Sequence, residues 1–253
     1  MADDPDPRTI DRPRVRGGGA PIERAAPRLA AVADTLAAVL LRPRRVARLV
    51  PEPVPHGRWL AALSMLRLAP WLVTVGIGAA RLVDAGVEVA PLLPVHTVVP
   101  APVARALSVW LLLLVPIGVP LSYFAAGLAA HLGLVLTLGA RWSLSATARA
   151  LAMAMLPVML GAGLVELGAW SHAVPAAIVF GGLAVIGLLG WGLATATVAA
   201  THRVGTLHAA AVALPAVGLF LAVAAVRTAL VVGTVPGWDR PPPSPYAIDT
   251  FAP

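Results

Sequence analysis

Three histidines and one carboxylate carry the residue types that a membrane-embedded reaction centre would need. His131 lies in residues 106–138, a run without a single charged side chain. A neutral imidazole ligates zinc, copper or haem iron, but only with further ligands at the same depth. His202 and His208 follow, six residues apart around a turn. If the helix carrying His131 ends near Gly139, His131 lies about two turns from that same surface. The spacing therefore allows a three-His site. Structural hydrogen bonding by the same rings is the simpler reading, and we expect no metal and no cofactor. His56, His96 and His172 read as loop residues. Glu166 falls near the end of an apolar stretch. It is expected to pair with Arg81 or Arg105, to act as a proton site in a transporter, or to be an ordinary interfacial carboxylate. Cysteine is absent, which excludes disulfides, thiolate metal sites and a Cys nucleophile. No Ser/His/Asp arrangement, paired carboxylate or phosphate loop occurs. GVP at 118–120 and GAG at 161–163 are not nucleotide motifs. The expectation is a protein that is not an enzyme.

The second chemistry-bearing set is basic. The chain has no lysine, so its 19 basic residues are all arginine, against 12 acidic residues and a net charge of +7. Ten of those arginines precede His56. Guanidinium groups bind phosphate bidentately, so Arg42, Arg44, Arg45, Arg48, Arg141, Arg149 and Arg203 are candidates for contact with lipid phosphates. A GC-rich coding bias is the simpler reading of the Arg-only composition. Ordinary charge asymmetry across a membrane is the plain reading of Arg149 and Arg203.

The elements that position these residues are apolar helices. Of 253 residues, 58% are hydrophobic and 12% charged, and the mean hydropathy is +0.84. Soluble domains carry about 25% charged residues, so an ordinary soluble domain, a disordered chain and a nucleic-acid binder are excluded. The fold class expected is all-α: an integral membrane helical bundle of about five transmembrane helices with an N-terminal amphipathic interfacial helix. Residues 1–28 mix charge, Gly and Pro and read as a flexible cytoplasmic tail, not a signal peptide. In 29–56, Leu29, Val32, Leu36, Val39 and Leu40 recur at helical spacing ahead of the Arg cluster, where Pro43 breaks the helix. This suits an amphipathic helix at a lipid interface. Residues 57–232 form the five-helix transmembrane domain, with spans at 59–83, 106–138, 146–168, 175–200 and 208–232. Arg67, inside the first, is expected to snorkel toward phosphates. The second is read as one long helix through Pro116 and Pro120, because two crossings would each be short. Residues 84–105 read as a Pro-rich loop and 233–253 as a Pro-rich tail. Trp59, Trp142, Trp170 and Trp238 lie near span boundaries, the usual aromatic belt.

Arginine counts orient the spans. One side holds Arg42, Arg44, Arg45, Arg48, Arg58, Arg141, Arg149 and Arg203. The other holds Arg81, Arg105, Arg227 and Arg240 with Asp84, Glu88, Glu166, Asp239 and Asp249. The positive-inside rule places the N-terminus in the cytoplasm and the C-terminus outside.

Residues 35–232, about four-fifths of the chain, resemble the bacterial branch of the Yip family, a family named for interaction with Rab-type GTPases. The resemblance rests on LLRPRRVARLVPEP at 40–53, AAHLGLVLTLGARWSLSATARALAMAMLP at 129–157 and GLLGWGLATATVAATHRVGTLHAAAVALP at 187–215. Gly139, Arg149, Pro157, His202, Arg203 and Pro215 follow the family's order. That order is a long second helix with a Gly break, an Arg-bearing third helix with a mid-helix Pro, and a His/Arg turn before a final helix with Pro. These motifs are helix punctuation rather than chemistry. The loop at 84–105 and the tail after Gly233 depart from the pattern. The resemblance implies five helices, a cytoplasmic N-terminus and no enzymatic activity. Its bacterial members have no Rab partner, so that function is not carried over.

The function expected is a non-catalytic, Yip-like membrane protein of the bacterial inner membrane, with its C-terminus periplasmic, that scaffolds or organises lipids and partners. One alternative is an accessory subunit of a larger membrane complex, held by its terminal tails. Another is a small transporter or channel. Expected partners are membrane lipids and either other membrane subunits or further copies of the chain, and no nucleic acid.

Overall fold

The computed structural model describes residues 19–24, 28–84, 101–171 and 174–232. Among these, the secondary structure is helical throughout. The helices are α1 (Pro21–Arg24), α2 (Leu29–Leu41), α3 (Pro43–Arg48), α4 (His56–Asp84), α5 (Ala101–Leu136), α6 (Leu144–Ser171), α7 (Ala176–His202) and α8 (Thr206–Val232). Five contain stretches long and apolar enough to cross a membrane: His56–Gly76, Leu114–Leu136, Leu144–Ala169, Ala176–His202 and Thr206–Val226. The chain is therefore an all-α protein with the helices of an integral membrane bundle. At about 1.5 Å per residue each stretch spans roughly 30 Å or more.

The long second span is a single helix. α5 runs 36 residues with Pro116 and Pro120 inside it. Its start at Ala101 corrects the expected loop, which reached residue 105. Residues 85–100, 1–18 and 233–253 lie outside the described residues, and so do the expectations placed on them.

α6 is the centre of the bundle. In an apolar 18-residue stretch of each span, 61% is buried in α6, against 22–33% in the other four. Every residue from Ala146 to Met159 is buried, as expected for a helix that is apolar on all sides. Small residues bring neighbours close, the usual packing device in lipid. A Cβ on Gly127 of α5 would lie 2.8 Å from the Ala148 Cβ and 3.1 Å from the Ala148 Cα. α5 and α6 therefore touch nearly backbone to backbone. The outward faces of the other spans expose Leu72, Leu121, Leu188 and Leu219, the surface that hydrocarbon would cover.

The N-terminal elements differ from expectation. Residues 19–24 fall within the stretch expected to be a flexible tail, yet Pro21–Arg24 form a helix with Ile22 and Glu23 buried. α2 buries Val32, Thr35 and Val39, but Leu29, Leu40 and Leu41 are exposed. The expected apolar stripe is therefore only partly the one that packs. Pro43 ends α2 and also opens α3 at its first turn, where a missing N–H costs nothing.

Candidate functional site

Most sequence-selected residues gather at one end of the bundle. Arg141 precedes α6, Arg203 follows α7, and α2 and α3 lie across the same end. Arg42, Arg44, Arg45, Arg48, Arg141 and Arg203 are all exposed there. Arg203 closes α7 in the left-handed conformation, with φ 55°. These six form a basic collar.

Arg149 is not part of it. The expected contact with lipid phosphate is corrected, because this side chain is fully buried. Its guanidinium grips the Glu23 carboxylate in two places, through Nε to Oε1 and through Nη2 to Oε2 at 2.9 Å. Nη2 also donates to the Leu49 carbonyl at 2.8 Å, with the Val46 carbonyl at 3.3 Å. The second turn of α6 thereby holds both α1 and the end of α3. A buried guanidinium is tolerable only when its charge is matched and its donors are used, and here both conditions hold.

Glu23 is equally committed. Oε2 accepts the Ala20 N–H at 2.9 Å, the reach-back half of a capping box. Oε1 accepts the Trp59 indole N–H at 3.1 Å. Arg58 donates to the Glu23 carbonyl at 2.6 Å, and the Ile22 N–H donates to Thr35 Oγ1 at 3.0 Å. Thr201, at the end of α7, donates to the Ala47 carbonyl at 3.3 Å. Sequence reasoning missed Glu23. The signal available was the Pro21-x-Glu23 pattern of a first helical turn.

Two of the three histidines converge. Thr147 Oγ1 lies 2.9 Å from His131 Nδ1 and 2.9 Å from His202 Nε2. His202 Nδ1 accepts the Arg141 backbone N–H at 3.2 Å. That acceptor role puts the neutral ring's proton on Nε2, which then donates to Thr147. Thr147 and His202 are fully buried. His208 stands apart and meets Thr137 Oγ1 at 2.6 Å. Gly139 makes this fit, since a Cβ there would lie 2.6 Å from the His208 ring. The three rings do not share a site, and among the described residues no group of three His, Asp or Glu can hold a metal.

A second ion pair lies toward the other end. Arg67 donates to Glu166. This corrects one expectation, because Arg67 pairs inside the bundle and does not snorkel; the side chains of Arg81 and Arg105, the partners expected for Glu166, lie outside the described residues. Helix packing sets the partner: Gly163, one turn before Glu166, lets α6 approach Pro70 of α4, where a Cβ would come within 2.8 Å of the proline ring.

The sequence matches no protein-family model, no curated protein and no solved structure.

Proposed function

We propose that this chain is a non-catalytic integral membrane protein that organises anionic lipids, and partners gathered with them, at one face of a bacterial inner membrane. The observation that carries the reading is the basic collar. Six exposed arginines sit at one end of the bundle, and the buried Arg149 that pairs with Glu23 also fastens the end of α3, beside Arg42, Arg44, Arg45 and Arg48, to α6. Arginines held on a rigid platform lose little freedom when they take up phosphates, and their planar forks match the phosphate geometry. The collar also supports a cytoplasmic N-terminus and a periplasmic C-terminus by the positive-inside rule. The Yip resemblance, with its five helices and no implied enzymatic activity, agrees with this role.

The test is lipid retention by the full chain in native mass spectrometry, with phosphatidylglycerol and phosphatidylcholine supplied together. The wild type should retain phosphatidylglycerol preferentially. Near a charged membrane surface each arginine contributes about 1 kcal/mol, so Arg44→Gln/Arg45→Gln/Arg48→Gln should lower the preference roughly a hundredfold. An unchanged preference would refute the reading.

A further inference from the structure

The bundle contains a cleft that the collar does not use. α5 and α8 meet near the collar end, where a Cβ on Gly133 would lie 3.3 Å from Val212. Beyond that contact, residues 114–126 of α5 and 216–228 of α8 face a cavity of about 360 Å³, floored by α6. Such a volume falls within the range of small-molecule sites. Its lips include exposed Leu121 and Leu219, so it opens sideways toward lipid. Its polar lining consists of Arg67, Glu166, Ser122 and Thr228, and the remaining walls are aliphatic except for Phe220.

Arg67 gives this cleft a chemical direction. Its side chain is more than nine-tenths buried and lines the cavity. Nη2 is committed to Glu166. Nη1 is buried without a hydrogen-bond partner among the described residues. A buried guanidinium nitrogen without an acceptor is costly, so an acceptor belongs there.

We propose that the cleft binds one acyl chain of a membrane glycerolipid, whose ester carbonyl accepts a hydrogen bond from Arg67 Nη1 once a turn of the side chain brings that nitrogen from its place beside Gly163 into the cleft. Charge selects the acceptor. Glu166 already neutralises Arg67, so a second anion would meet an adjacent carboxylate, whereas an uncharged carbonyl would not. The walls select the chain. A planar aromatic head would find a single ring to stack on, while aliphatic walls suit a methylene chain. Depth agrees as well. Glu166 lies about 33 Å along α6 from Leu144, near the far boundary of a core about 30 Å thick. Ester groups of the opposite leaflet lie at that boundary, with their chains running back toward the collar end.

The experiment offers the full chain equal amounts of ester-linked and ether-linked phosphatidylcholine of the same chain length and reads the retained lipid by native mass spectrometry. The choline head carries no net charge, so the result does not depend on the collar. The wild type should retain one lipid, with the ester form preferred about tenfold, the factor expected for a hydrogen bond to a charged donor. Arg67→Met/Glu166→Met removes both charges together and should abolish the preference while keeping the chain. A Cβ at Gly118 meets nothing within 4 Å, so Gly118→Leu should fold and fill the cleft, lowering retention at least tenfold. Helix content and melting by circular dichroism check each variant. Equal retention of the two lipids by the wild type, preferred retention of an added quinone, or full retention by folded Gly118→Leu would each overturn the proposal.

Discussion

Arg149 shows how far a residue's role depends on what surrounds it. In the sequence it is one of several arginines near helix ends, yet among the described residues it is the fully buried one, and the Glu23 carboxylate holds it. Removing one partner of a buried pair strands the other charge, so Arg149→Met alone should destabilise the protein by about 3–5 kcal/mol. Arg149→Met/Glu23→Leu should cost clearly less than the sum of the two single changes. Thermal unfolding in detergent measures the cycle, and simple additivity would mean that the pair is not coupled. Thr147 gives a second residue-scale prediction. Its hydroxyl serves the buried His202 ring and the half-buried His131 ring, so Thr147→Val should cost about 1–3 kcal/mol, the penalty of unmet polar atoms, whereas Thr147→Ser should cost less. Equal losses would show that the methyl group, not the hydroxyl, matters there. The histidine and arginine positions were legible as residue types at helix ends. Their partners were not, because Glu23 and Arg149 are 126 residues apart and meet only through packing.

Helices are where sequence reading succeeds, because burial in lipid demands long apolar segments whose backbone hydrogen bonds close locally. All five spans were visible, including the single α5 through two prolines. The tail helix α1 was not, because four residues carry too little periodicity to stand out from Gly- and Pro-rich surroundings. Glycines separate two element-scale effects that composition cannot. Gly127→Ala would drive a methyl group into the Ala148 backbone and should destabilise the α5–α6 contact by about 1–3 kcal/mol. Gly118→Ala meets open space and should be neutral or stabilise by up to about 1 kcal/mol, since alanine is the better helix former. The melting temperature of Gly127→Ala should fall, and that of Gly118→Ala should hold or rise. A loss of similar size in both would remove close packing as the explanation.

At the scale of the whole molecule, charge asymmetry predicts orientation. The chain has no cysteine, so single cysteines report cleanly on sidedness. Gly205 and Pro175 are exposed at opposite ends of α7. In intact cells a membrane-impermeant maleimide should label Pro175→Cys, and Gly205→Cys should react only after the membrane is opened. The reverse pattern would invert the topology and move the collar to the outer face.

The sequence by itself determined that this is a helical membrane protein, where its spans run and which end is basic. Those properties follow from local hydropathy and from arginine counts, and both are sums over neighbouring residues. Only the tertiary structure decided which arginines are free and which are locked. It likewise put Arg67 with Glu166, separated His208 from the His131–Thr147–His202 chain, and left a cleft between α5 and α8. These outcomes depend on which faces of antiparallel helices meet. Small residues such as Gly127 and Gly163 set that registration by steric fit, a relation between distant segments that no local pattern encodes.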